Sequence, residues 1–256
     1  MARLDASGGT VPRGRRVAAT GGAEGIVAGL RGQSPGQRHH PLGRLPLFLR
    51  ELEGRPPMPH YGVNGSGSSA GLDWLRDHDD PLPRPAAVPV VAETTAPPTA
   101  RALARAVTSW TEGSNGRIEA RTFAFAEPVG DVPAALAALD LDCLRGLGPR
   151  TGFFFAACPP AEVWDTLFRA ASAGGAYSSG WYGAHGRLAA WESLGALSGA
   201  DPWPFVEEIE RRAAGAELYR FGAQSRWYFG ESWDIGLAAL TDGRRRLAVL
   251  AATDTD

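Results

Sequence analysis

From Ala100 onward, apolar positions recur with the two periods that regular structure imposes. Ala102, Ala106 and Trp110 fall at helical spacing with Leu103 beside them, and Gly113 and Gly116 end that helix. Ile118 to Ala126 then alternates: Ile118, Ala120, Thr122, Ala124 and Ala126 oppose Glu119, Arg121, Phe123 and Phe125, which is strand periodicity. Val132 to Leu141 reads as a short Ala/Leu helix. Thr151 to Ala157, with three successive Phe between Gly152 and Pro159-Pro160, reads as a central strand. Pro160 suits a helix N-terminus, and Val163, Trp164, Leu167, Phe168 and Ala171 form its apolar face up to Gly174-Gly175. A second helix runs from about Trp181 to Leu197, with Ala184, Leu188, Trp191 and Leu194 inward. A third opens at Asp201 with Pro202 just inside, and Phe205, Ile209 and Ala213 face the core.

The last forty residues supply the surface these helices cover. Glu217 to Phe221 reads as a strand, and Trp227 to Leu240 with Arg246 to Ala252 as a hairpin closed by Asp242-Gly243. If Thr241 and Arg244 flank the turn, Ile235 sits opposite Leu250, Trp233 opposite Ala252, and Glu231 opposite Asp254. Both hairpin faces are apolar, which places it centrally. The expected fold is α+β: a mostly antiparallel sheet packed by three to five helices, over residues 97–256.

Composition changes sharply upstream. Residues 1–96 hold 11 Pro and 15 Gly but only three of the chain's 23 aromatics, Phe48, Tyr61 and Trp74. So little apolar bulk cannot offset the entropy of ordering a backbone, and a low-complexity, mostly disordered extension is expected. Its exceptions are Leu45 to Leu52, where Leu47, Phe48 and Leu52 suit a turn and a half of helix, and Gly71 to Arg76 around Trp74. Pro81 to Thr99 reads as a semi-rigid polyproline linker. The nine Arg among residues 1–55 face only Asp5, Glu24, Glu51 and Glu53, which reads as a solvated tail, or a start assigned too far upstream, ahead of a nucleic-acid arm.

Charge narrows the partners. Across 256 residues, 26 basic side chains meet 28 acidic ones for a net charge of -2, a balance that argues against bulk nucleic acid or an anionic membrane as main partner. No apolar run reaches membrane-spanning length and no apolar stretch follows the N-terminal arginines, so a cytoplasmic setting is expected. Every basic residue is Arg, which removes lysine Schiff-base chemistry and the Walker A lysine. Cys143 and Cys158 lack metal spacing and read as buried structural thiols. No metal or cofactor is expected.

Four candidate constellations remain. Glu231, Asp254 and Asp256 would cluster through the hairpin register beside Trp233, where several carboxylates suit a hard cation or acid/base work; a solvated chain end is the competing and preferred reading. His185, the sole histidine of the folded part, suits a general base, against an ordinary, partly exposed structural histidine. Arg117, Glu119 and Arg121 share one strand face and suit an anionic ligand, against a charged edge facing water. Gly67 to Gly71 matches G-x-S-x-G, but no strand precedes it, and a small-residue linker accounts for it better.

Four blocks together resemble a known group: Ser114-Asn115-Gly116-Arg117-Ile118-Glu119-Ala120-Arg121, Gly186-Arg187-Leu188-Ala189-Ala190-Trp191, Trp233-Asp234-Ile235-Gly236-Leu237-Ala238 and Leu250-Ala251-Ala252-Thr253-Asp254-Thr255-Asp256. They are similar to an uncharacterised family of actinobacterial proteins, a domain of unknown function, over about residues 100–256. The resemblance implies a bacterial setting and transfers no activity, ligand or site residue. Two functions are weighed. The first is a non-enzymatic protein-binding domain, regulatory or immunity-like, using a surface near Trp227, Trp233 and the C-terminus. The alternative is a hydrolase using Glu231, Asp254, Asp256 and His185. The binding domain is preferred, because no convergent polar pocket is legible.

Overall fold

The computed structural model describes residues 40–53, 89–147, 152–200, 205–229 and 233–255. Its centre is a six-stranded sheet of β1 (Val91–Glu93), β2 (Arg117–Phe125), β3 (Phe153–Ala157), β4 (Glu217–Ala223), β5 (Ile235–Thr241) and β6 (Arg246–Thr253). The order is β1-β2-β6-β5-β4-β3, and every neighbouring pair is antiparallel. Among the described residues five α-helices accompany it: α1 (Pro97–Leu103), α2 (Val132–Ala138), α3 (Pro160–Ala173), α4 (Gly183–Leu197) and α5 (Val206–Ala214). The α+β class read from the sequence is therefore the observed one.

Alternation along each strand divides the core in two. Ile118, Ala120, Leu218, Ile235, Leu237, Leu250 and Ala252 face α1, α3, α4 and α5, where Trp110, Trp164, Leu167, Trp191 and Leu194 fill the layer. Phe123, Phe125, Phe221, Ala238, Leu240, Leu247 and Val249 face the other way, onto Val132 and Leu136 of α2, the Leu141–Leu144 turn and Tyr228. Covering on both faces is why β5 and β6 read as continuous apolar runs. Gly236 serves this second layer, because a Cβ there would stand 2.3 Å from the Phe221 carbonyl oxygen and 2.8 Å from the Tyr228 hydroxyl.

Several expectations are corrected. β3 is an edge strand, not a central one; its aromatic run is buried on its faces, with Phe153 and Phe154 enclosed and Phe155 stacked on Tyr219 at 4.7 Å. The hairpin pairs Ile235 with Ala252, two residues from the expected register. Its loop takes Asp242, Gly243 and Arg244 in succession at positive φ (51°, 63° and 66°), so four residues turn the chain rather than two. A shift of two keeps every side chain on its expected face. The strand before the turn starts at Ile235, not Trp227. The linker reading fails for its described part, since Val91–Glu93 pairs with Phe123–Phe125 and α1 starts at Pro97. Phe205 is 77% exposed; Val206, Ile209 and Ala213 are the buried positions of α5. Asp201 to Pro204 lie outside the described residues.

Residues 41–53 form a strap rather than the expected helix over Leu45–Leu52. A 3-10 turn spans Pro41–Arg44, and Leu45 and Leu52 pack on the helix-side core while Leu47 and Phe48 stay exposed. Arg187 of α4 holds the strap: its guanidinium donates to the carbonyl oxygens of Pro46 (2.8 Å) and Phe48 (3.0 Å) and to the buried Glu53 carboxylate (2.8 Å). Trp191 Nε1 donates to the same carboxylate.

The passage from α1 into the 3-10 helix Ala104–Thr111 has a local cause. Ser193 Oγ of α4 accepts from Ala106 N (2.9 Å) and donates to the Ala102 carbonyl oxygen (3.3 Å). Those two backbone groups would bond each other in a continuous α-helix, so the hydroxyl stands in the ladder. Ser193→Ala should cost about 1–2 kcal/mol by taking the hydroxyl partner from the buried Ala106 N–H, whereas Phe205→Ala should stay within about 0.5 kcal/mol. Urea denaturation of both variants reads the contrast.

Candidate functional site

The structure parts the sequence-predicted residues. Asp254 is fully buried, not a frayed chain end. Its Oδ1 accepts from Ser114 Oγ (2.6 Å) and Thr255 N (2.9 Å), and its Oδ2 from Ala176 N (2.7 Å). Gly175 makes the socket possible, because a Cβ there would lie 2.1 Å from Oδ2. With both oxygens committed, Asp254 joins the Ser114 loop, the glycine-rich segment after α3 and the end of β6. Glu231 and Asp256, like the Gly67–Gly71 run and the Trp74 segment, lie outside the described residues. His185 is exposed in the first turn of α4, and no described carboxylate pairs with it. Among the described residues, no three His, Cys, Asp or Glu side chains gather to hold a metal ion.

Glu119 also departs from the water-facing edge expected of it. It is buried, and its two oxygens accept from Asp142 N and Cys143 N, each at 2.9 Å, with Arg121 at 3.3 Å. The carboxylate thus satisfies the exposed N–H groups at the start of the Asp142–Leu144 3-10 turn. Arg121 ties this turn to the sheet edge, bonding Glu93 at 2.6 Å and the Asp140 carbonyl oxygen. The hydrogen bond from Arg121 holds the Glu93 carboxyl below its usual value. Burial pushes the Cys143 thiol far up and the Cys158 thiol up to about 12, so both cysteines are inert thiols in the core.

The two tryptophans proposed as one surface sit on opposite cores: half-buried Trp233 packs on the helix side, and Trp227 on the far side, edge-on to Tyr228 with centroids 4.8 Å apart. Trp227 and Arg117 do come together. They line an open groove of about 750 Å³ with Arg101, Arg105, Thr108 and Thr111 of the α1 and 3-10 segment, and Asp142 stands at its wall. Arg117 lies over the Phe229 ring at 4.9 Å and donates to the Arg226 carbonyl oxygen at 3.3 Å. Arg105 lies over Trp181 at 3.8 Å and bonds Glu192 at 3.2 Å. Arg101 is exposed, and its guanidinium pairs with no carboxylate among the described residues. Three guanidiniums, of which Arg105 is paired with Glu192, against Asp142 leave the groove lining net positive within a chain of net charge -2. Arg101 and Arg105 escaped the sequence reading, although their spacing of four, beside the Ala102-Ala106 stripe, places them together on a helix.

The model of a family of unknown function, DUF6183, matches residues 13–256. The chain belongs to that family. The match reaches far upstream of the four blocks that carried the resemblance, which began near residue 100. No curated protein and no solved structure matches. Within this DUF6183 chain the blocks meet at buried polar anchors: Ser114 and Glu119 from the first, Arg187 and Trp191 from the second, Asp234 from the third, and Thr253 and Asp254 from the last, with Thr253 Oγ1 donating to the Asp234 carboxylate. None of the described helices is long and apolar enough to cross a membrane.

Asp254→Asn turns an NH₂ toward a backbone N–H in either amide orientation and should cost about 2–4 kcal/mol, while His185→Ala should stay within about 0.5 kcal/mol; chemical denaturation distinguishes them. Since the folded-state value of Glu93 is lowered, its contribution to stability is present above the usual carboxylate range and lost as pH falls through the lowered value. Glu93→Gln should therefore shrink the acid-side fall in melting temperature without steepening it.

Proposed function

We propose that the protein is a non-enzymatic binding domain of a bacterial cytoplasm, regulatory or immunity-like in role, that takes an acidic segment of a partner protein in the groove of Arg101, Arg105, Arg117 and Trp227. The observation that carries this reading is the groove itself: guanidiniums of fixed charge beside an aromatic wall, with Asp142 as its one carboxylate. Arginine and tryptophan anchor protein interfaces because each combines broad contact area with directed polar groups. The hydrolase alternative required Asp254 to act with His185, Glu231 and Asp256. Asp254 already accepts three hydrogen bonds from donors within the fold, a structural use that favours the binding reading over that alternative.

Fluorescence anisotropy of a labelled Glu/Asp-rich peptide against the full chain tests the reading. Binding is expected to weaken steadily with salt. Arg117→Glu and Trp227→Ala should each lower affinity by about tenfold or more, and His185→Ala should not alter it. A Gln/Asn-rich peptide binding equally well, or Arg117→Glu binding undiminished, overturns the proposal; tighter binding of a single-stranded oligonucleotide transfers the groove to nucleic acid.

A further inference from the structure

One wall of the groove carries Arg101, Arg105, Thr108 and Thr111 in a row. The row is straight because the helix changes type beneath it. Arg105, Thr108 and Thr111 follow one another at intervals of three within the 3-10 helix Ala104–Thr111. Three residues complete one 3-10 turn, so these side chains lie one above another at steps of about 6 Å. In a continuous α-helix the same interval falls about 60° short of a turn, and the row would wind off the wall. Arg101 stands one turn earlier, in α1. The Ser193 hydroxyl, bonded to the Ala102 carbonyl oxygen and to Ala106 N, lies where the row becomes straight.

The row has two chemical halves. Arg105 is held from two sides: its Nε donates to Glu192 at 3.2 Å and its guanidinium lies over Trp181 at 3.8 Å, while no described residue accepts from its two Nη groups. The Arg101 guanidinium pairs with no carboxylate among the described residues. Both therefore offer N–H groups to an anion. Thr108 Oγ1 donates to the Ala104 carbonyl oxygen (3.0 Å) and Thr111 Oγ1 to that of Thr108 (3.1 Å). With those protons committed, each hydroxyl oxygen meets a ligand as an acceptor only, and a carboxylate gains nothing from it.

An extended chain turns every second side chain to the same side at intervals of about 6.6 Å, close to the step of the row. About six extended residues span the roughly 18 Å from Arg101 to Thr111. An α-helix of that length, with a diameter of about 10–12 Å, needs about twice the 750 Å³ that the groove offers.

We propose that the groove takes its acidic segment as an extended chain and selects acidic residues at alternate positions, one carboxylate on Arg101 and the next but one on Arg105, with uncharged residues along Thr108 and Thr111. This specifies the partner segment proposed above and depends on the groove's binding one.

The test is displacement of the labelled Glu/Asp-rich peptide from the full chain by end-capped hexapeptides of two Glu and four Ser that differ only in order. The isomer with one Ser between its Glu residues should bind about fivefold tighter than the isomer with three. Arg101→Gln, at an exposed position, should bring the first isomer down to the affinity of the second and leave the melting temperature unchanged. An Ala-rich helical peptide with two Glu four residues apart should bind no better than the second isomer. Equal displacement by the two isomers, including none by either, a preference for the helical peptide, or an isomer preference that survives Arg101→Gln overturns the extended register and leaves the acidic-segment proposal standing. If the labelled Glu/Asp-rich peptide itself does not bind, both fall together.

Discussion

A carboxylate removed from water is costly unless donors surround it, and among the described residues this fold buries four: Glu53, Glu119, Asp234 and Asp254. Each is met by N–H or O–H groups from segments distant in sequence. Glu53 receives Arg187 and Trp191 and so joins the strap to α4. Glu119 receives two backbone N–H groups and fixes the Asp142–Leu144 turn under β2. Asp234 receives Thr253 across the central hairpin, and Asp254 gathers two loops at the sheet's end. The apolar layers supply the bulk of the driving force but little direction; these directional bonds determine which loop sits where. Loss of one donor leaves a charge stranded in the interior, so each anchor makes a narrow set of loop conformations obligatory.

Strand periodicity made most of the sheet legible. Alternation in Arg117–Phe125 and the doubly apolar Ile235–Thr241 and Arg246–Thr253 reported their own surroundings, and a turn pair announced the hairpin. The register slipped by two because three consecutive left-handed residues lengthen the loop, and the side chain that stabilises this geometry, Arg244, is anchored on Glu217 and the Val129 carbonyl oxygen, contacts no local pattern discloses. The Phe153–Phe155 run looked central because burial by flanking layers and burial within a sheet leave the same apolar signature.

The site was less legible for a related reason. A carboxylate near a chain end looks solvated when its neighbours are Thr and Asp, and only the approach of Ala176 and Ser114 makes Asp254 an interior group. Glu119 belonged to a face that alternation labelled polar, yet a turn some twenty residues downstream covers it. Arg101 and Arg105 carry no local signal beyond a spacing of four beside an apolar stripe, a pattern that any solvated helix face shows. Arg117 and Trp227, far apart in sequence, were each legible as candidates, but their meeting depends on the loop after β4.

The all-arginine composition gives the groove a property that a lysine or histidine lining would lack. A guanidinium keeps its proton at any pH where the fold survives, even when partly desolvated. The positive charge of Arg101, Arg105 and Arg117 along the groove is therefore fixed, and acidity reaches the field there only through the carboxylates of Asp142 and Glu192. Any pH dependence of association must then originate in those carboxylates or in the ligand's own acid, while ionic strength attenuates the guanidiniums' attraction at every pH.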